Sequence, residues 1–183
     1  MQHRGSDETG ILVEENYVLG SVRLTIVDSE LGKQPLKNES ACLVFNGEIY
    51  NYKDLTKEYL SFDNASSDSH ALFALLNEYQ MDKLNMLNGM FSFCYVDGSN
   101  IYLVRDRFGK KPLYYTMQDD CLLFASELKA FRDIIDFVLA PPSMYRYLET
   151  PLDGETVFKN IFEVNAGGFI KIDQPKREKC IVL

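Results

Sequence analysis

Several classes of function are excluded by what this chain lacks. Its 183 residues include only two histidines, His3 and His70, and four cysteines, Cys42, Cys94, Cys121 and Cys180, with no C-x-x-C pair. No His/Cys cluster has the spacing of a zinc site, so no bound metal is expected. Three of the cysteines lie in apolar, strand-like surroundings, which fits free buried thiols in a reducing compartment. Positive charge is scarce too, with 19 Lys and Arg against 27 Asp and Glu and a formal net charge of -8. Nucleic-acid binders usually carry a basic face, so no nucleic-acid partner is expected. No apolar run approaches the roughly twenty residues needed to span a bilayer, and the first residues are polar and charged, unlike a signal peptide. The expectation is a cytoplasmic protein with no membrane association. Internal repeats, low-complexity tracts and convincing linkers are also missing.

What is present fits a compact chain. Hydrophobic residues make up 46% and aromatics 13% of a length suited to one domain with its own core. Val22, Leu24 and Ile26 alternate with Arg23 and Thr25, the period of a strand with one buried face, which turns Arg23 away from the core. Further strands are expected at 41–45, 90–97, 101–105, 113–117 and 121–126. Asp97-Gly98-Ser99-Asn100 and Gln118-Asp119-Asp120 read as turns between neighbouring strands, hence antiparallel pairing. From Ser67 onward, Ala71, Leu72, Leu75, Leu76 and Tyr79 mark one face of a helix, with Ser66 or Ser67 placed to cap it. Shorter helices are expected at 52–59 and 127–131. Strands interspersed with a few helices predict an α+β layered domain rather than a βαβ repeat.

The richest chemistry lies in Val44-Phe45-Asn46-Gly47-Glu48-Ile49-Tyr50-Asn51. An Asn-Gly pair closing an apolar strand can be a hairpin turn, or it can leave a side-chain amide (Asn46) and an unshielded backbone N–H (Gly47) to receive a developing oxyanion. Arg23 can form a surface salt bridge or grip a carboxylate through its planar fork. Asp68, at the start of the helix, is favoured by the helix dipole and can cap the backbone. Glu48 is an exposed strand-end charge. Arg105-Asp106-Arg107 reads chiefly as a structural turn, with Gly109 and Pro112 setting up the next strand.

Together with His3-Arg4-Gly5-Ser6-Asp7, Arg23-Leu24-Thr25-Ile26-Val27-Asp28, Leu87-Asn88-Gly89-Met90-Phe91, Arg105 to Tyr115 and Phe124 to Ala130, this segment resembles the glutaminase domain of glutamine-dependent asparagine synthetases, a class II glutamine amidotransferase. The likeness covers residues 1–169, leaving 170–183 as a C-terminal tail. It implies the four-layer αββα sandwich of N-terminal nucleophile hydrolases and the release of ammonia from glutamine for asparagine biosynthesis. It assigns Asn46 and Gly47 to the oxyanion hole and Arg23, Leu24, Glu48 and Asp68 to glutamine binding. No cofactor is implied for this domain, because ATP and Mg belong to a separate synthetase domain, a possible partner protein.

Family members begin with a Cys whose thiolate attacks and whose α-amino group serves as base, followed by a strand and a helix. Met1 aligns inside that domain, so the nucleophile is expected to be absent from this stretch. The natural polypeptide is then longer, or the chain is a non-catalytic binding or scaffolding module, or it is a nonfunctional fragment. Cys42 lies on the same strand as Asn46 and is expected to be packed inside. Thr156 to Val164 resembles the family's connector, with Asn165-Ala166-Gly167-Gly168 departing from its usual Pro-Gly. The final Cys180-Ile181-Val182-Leu183 fits the prenylation pattern, a short motif that recurs by chance.

Overall fold

The computed structural model describes residues 3, 8–23, 33–60, 67–98, 100–141, 154–173 and 180–181, with only the backbone of 23, 180 and 181. A five-stranded sheet forms the centre. Its middle members are β4 (Ala41–Ile49), β5 (Gly89–Asp97) and β6 (Asn100–Arg105), flanked by β3 (Leu36–Lys37) and β10 (Phe169–Asp173) in the order β10-β6-β5-β4-β3. All its pairings are antiparallel. The boundary expected at residue 169 falls inside this sheet, since Phe169 pairs with Val104 and Asp173 with Asn100.

Alternation along these strands builds two cores. Leu43, Phe93, Tyr95 and Val104 face helices α1 (Tyr52–Tyr59) and α2 (Asp68–Tyr79), whose Leu55, Leu72, Leu75 and Leu76 pack against them. Cys42, Val44, Cys94, Val96 and Leu103 face the other way, onto Leu19, Leu113, Leu122 and Phe124 of the second layer of strands. That layer holds β1 (Glu8–Val13), β2 (Tyr17–Arg23) and β11 (Cys180–Ile181) in one sheet, and β7 (Tyr114–Gln118), β8 (Cys121–Ala125) and β9 (Phe162–Glu163) in the other. β11 pairs in parallel with Tyr17 and Val18 of β2 and touches β8. Beyond β8 lies a third core of Leu123, Ala125, Phe131 and Ile161 with Phe137 and Phe158. Helices, sheet, sheet and an outer covering segment follow one another, the α+β layering expected from the residues and the sandwich that the resemblance implies.

The helix starts agree with the sequence reading. Ser67 caps α2 by accepting from His70 N–H at 3.3 Å. Both turns form as read: β5 and β6 close across Asp97 and Asn100, and β7 and β8 across Gln118 and Cys121, where Asp119 and Asp120 take φ of 50° and 63°. Three expectations are corrected. The helix expected at 127–131 is a 3-10 turn, Leu128–Phe131. The strand placed around Val22 to Ile26 starts earlier, at Tyr17, and Gly20 within it hides the alternation; Leu24 to Ile26 lie outside the described residues. β4 does not close at Asn46-Gly47 but runs through both to Ile49.

Candidate active site

Gly47 explains why β4 passes through a sequence that usually turns. It pairs with Phe91 while Asn46 pairs with Ser92, so the ladder to β5 is unbroken. Gly47 holds φ at +145°, a backbone conformation that L side chains rarely adopt. A Cβ there would lie 2.0 Å from the Met90 carbonyl oxygen. The dipeptide therefore serves a close approach of two strands, not a hairpin. Cys42 and Val44 face between the two sheet layers, and Asn46 and Glu48 follow them in the alternation.

Asp68 reaches this strand end from α2. One carboxylate oxygen accepts the Ile49 N–H at 3.1 Å and the other the Ser69 N–H at 2.8 Å. Those bonds fix the first turn of α2 against the residue after Glu48. Burial pushes the Asp68 carboxyl above the usual carboxylate range, the amide bonds from Ile49, Ser69 and its own N–H oppose this, and the neighbouring Glu48 charge pushes it up again. A carboxylate held near a second negative charge and part-buried has reason to attract a cation. Across the strand end, Asn51 joins the 86–88 segment to β4, accepting from Asn88 N–H at 2.9 Å and donating to the Met86 carbonyl at 2.9 Å.

Asn46, Gly47, Glu48 and Asp68 are thus brought together. Arg23 ends β2, paired with Glu8, on a strand that contacts β4; its side chain and all of Leu24 lie outside the described residues. His3 Nε2 lies 2.7 Å from Lys129 Nζ and 3.1 Å from Glu127, with Arg4 outside the described residues. Cys42 is 1% exposed and sits 3.0 Å from the Tyr17 hydroxyl, in the core as expected. Burial pushes its thiol upward, away from the thiolate a nucleophile needs. A cavity of about 310 Å³ opens nearby, bounded by Leu87, Phe91, Arg107 and Phe169. None of the four grouped residues lines it, and it meets the site only through Phe91. Among the described residues, no group of three or more His, Cys, Asp or Glu is arranged to hold a metal ion, and no helix is long and apolar enough to cross a membrane.

Arg105-Asp106-Arg107 is structural, as read. Asp106 is fully buried, and its carboxylate accepts N–H bonds from Phe91, Phe108, Lys110 and Lys111 at 3.0–3.2 Å. Arg105 donates to the carbonyls of Gly109, Lys111 and Val164 at 2.8–3.0 Å and pairs with Glu163 at 2.9 Å. The four amides that Asp106 collects were not legible from the motif alone; the turn residue Gly109, at φ +61°, was the local signal.

The family model for the glutamine amidotransferase domain matches residues 1–180. This chain belongs to that family. The domain is 41% identical over 135 residues to asparagine synthetase 1 of Bacillus subtilis, covering 70% of this chain and 21% of that protein. It is 41% identical over 138 residues to asparagine synthetase B of Escherichia coli, covering 71% and 25%. A putative asparagine synthetase of Methanocaldococcus jannaschii matches 97% of the chain at 30% identity, and 40% of its own length is covered. The domain therefore spans between about a fifth and two fifths of these relatives. Among solved structures, the glutamine phosphoribosylpyrophosphate amidotransferase of Bacillus subtilis superposes with a TM-score of 0.59 at 19% identity, over 97% of this chain and 45% of that one. This likeness is one of fold, and it bears out the sandwich of the N-terminal nucleophile hydrolase type. As a class II glutamine amidotransferase domain, the chain is homologous to the glutaminase domains of asparagine synthetases.

Proposed function

We propose that this domain binds L-glutamine at the end of β4 and, when joined to an N-terminal Cys nucleophile, hydrolyses its side-chain amide to glutamate and ammonia. The ammonia would serve an ATP-dependent, amide-forming synthetase, carried by a partner domain or protein in the cytoplasm, with ATP and Mg held there and no cofactor in this domain. The observation that carries the reading is the bond from Ile49 N–H to Asp68, which sets a raised, part-buried carboxylate beside Glu48 and two residues from Gly47. Asp68 and Glu48 receive the substrate ammonium, and Arg23 takes the α-carboxylate in a bidentate grip. The Asn46 side-chain amide and the Gly47 N–H donate to the oxygen of the amide as it becomes an oxyanion.

Thermal denaturation with and without glutamine tests the clamp. Ligand that binds only the folded state raises the melting temperature. That rise is expected in the wild type and lost in Arg23→Ala and Asp68→Ala; an equal rise in both variants rejects the assignment. A second reading is a binding or scaffolding module without turnover, in which neither of the buried thiols Cys42 and Cys94 replaces a terminal Cys. Intact mass and terminal sequencing of the protein from its native source separate the two. A mature N-terminal Cys selects the glutaminase.

A further inference from the structure

We infer that Asp106 is a positioning residue for the Asn46 and Gly47 donors, acting through the first residues of β5. The inference rests on the glutamine-site reading above and adds a residue to it.

The Gly47 peptide is placed by its neighbour strand. A Cβ on Gly47 would meet Met90 O at 2.0 Å and Phe91 Cα at 2.7 Å, and one on Gly89 would meet Glu48 O at 2.1 Å. Two backbones touch there with no side chain between them, so a displacement of β5 passes directly to Gly47. What holds β5 at this point is not β6. The β5–β6 ladder ends with Ser92 opposite Arg105, leaving Gly89 to Phe91 beyond it.

Asp106 takes over as the next rung. Its N–H donates to the Phe91 carbonyl at 2.8 Å, and its carboxylate accepts the Phe91 N–H at 3.2 Å. A side chain thus supplies the acceptor that a strand carbonyl would otherwise provide. The same carboxylate is braced by Phe108 and Lys110 on one oxygen and Lys111 on the other. Oxyanion donors lose effect when misplaced by a fraction of an ångström to an ångström, so a rung set by one carboxylate is a point of control.

The test uses the full chain labelled with 15N, wild type and Asp106→Asn, titrated with L-glutamine at pH 7. Displacement of the Gly47 and Glu48 amide signals in unliganded Asp106→Asn, with those of Leu72 and Leu122 in place, is expected. Glutamine affinity should fall about tenfold. A variant that melts earlier but keeps the Gly47 signal and a glutamine Kd within about twofold of wild type overturns the inference, leaving Asp106 purely structural. A wild type that does not respond to glutamine refutes the proposed function instead, and the Gly47 signal of the variant still decides the positioning. Should Asp106→Asn fail to fold, an acid titration of the wild type reads the same link. The Gly47 amide must then follow the midpoint of the Phe108 and Lys110 amides, and an independent midpoint overturns the inference.

Discussion

Asp68 and Asp106 are two carboxylates bonded to backbone amides at the same end of the central sheet, yet their surroundings push them in opposite directions. Burial raises both. Asp106 collects four backbone N–H bonds, from Lys111, Lys110, Phe108 and Phe91, and together they carry it below the usual carboxylate range. Asp68 receives Ile49, Ser69 and its own N–H, three donors, and faces burial and the charge of Glu48, so it ends above that range. At Asp68 burial and the Glu48 charge outweigh the amide donors, and at Asp106 the amide donors outweigh burial. A carboxylate saturated by amides belongs to the architecture. One raised beside a like charge suits the ammonium-binding role proposed for Asp68.

The largest way to break this contrast is Asp106→Ala. Removing the acceptor leaves buried N–H groups without a partner, and a loss of about 3 kcal/mol or more is expected in chemical denaturation. A loss under about 1 kcal/mol would mean that other acceptors replace it, and the saturated carboxylate would not be the structural one. Gly47→Ala follows. Its φ of +145° and the 2.0 Å approach to Met90 both oppose a side chain, and the strained conformation alone costs about 1–3 kcal/mol. Glutamine stabilisation should vanish as well, since Gly47 cannot keep its place.

Asp68→Asn is expected to do the reverse of Asp106→Ala. Because the folded state disfavours the ionised form of Asp68, removing the charge should leave stability at neutral pH unchanged or slightly higher. Glutamine affinity should nevertheless fall about tenfold or more, with the ammonium partner gone. A stability loss equal to that of Asp106→Ala would erase the distinction. The pH dependence sharpens it. Asp106, with its depressed value, adds stability that is present above the unfolded value of 3.8 and is lost as pH falls through its lower folded value. Asp68, with its raised value, adds stability that is fully present below 3.8 and is lost as pH rises through its folded value. Comparing wild type with Asp106→Asn and with Asp68→Asn across the acid range should therefore give difference curves of opposite slope. Glutamine binding, which needs ionised Asp68, should strengthen as pH rises through that raised value.

Much of this architecture was legible in the residues, for local reasons. The α2 face and its Ser67 cap, the α1 span and both hairpins follow from spacing and turn chemistry within a dozen residues. The pieces that escaped depend on distant partners. Asn46-Gly47 carries the signal of a turn, and only the pairing of Gly47 with Phe91, contributed by another strand, keeps it extended. The short strands at Leu36–Lys37 and Phe162–Glu163 have no period of their own and exist because β4 and β7 offer edges. In the site, the resemblance to class II amidotransferases pointed to Asp68 and Glu48, while nothing local pointed to the bond between Asp68 and Ile49, nineteen positions apart. Nor does a charged triplet reveal that its central Asp completes a sheet rung.

A third carboxylate tests whether a low pKa alone marks structural importance. Glu127 is held at about 2, lower than its ordinary value of 4.5, by the hydrogen bond from Lys129, which outweighs the cost of burial, and then by His3. Two of its partners are side chains at the surface, Lys129 at 56% and His3 at 48% exposed. Solvent screens such pairs, and holding long side chains in one geometry costs entropy, so Glu127→Gln should change stability by less than about 1 kcal/mol. Salt should abolish even that small effect while leaving the Asp106→Asn difference intact, because screening reaches exposed charges and spares buried amide bonds. A salt-insensitive loss of about 3 kcal/mol in Glu127→Gln would show that the direction of a pKa shift outranks its source. The expected outcome ties the importance of a carboxylate to how many fixed backbone donors surround it.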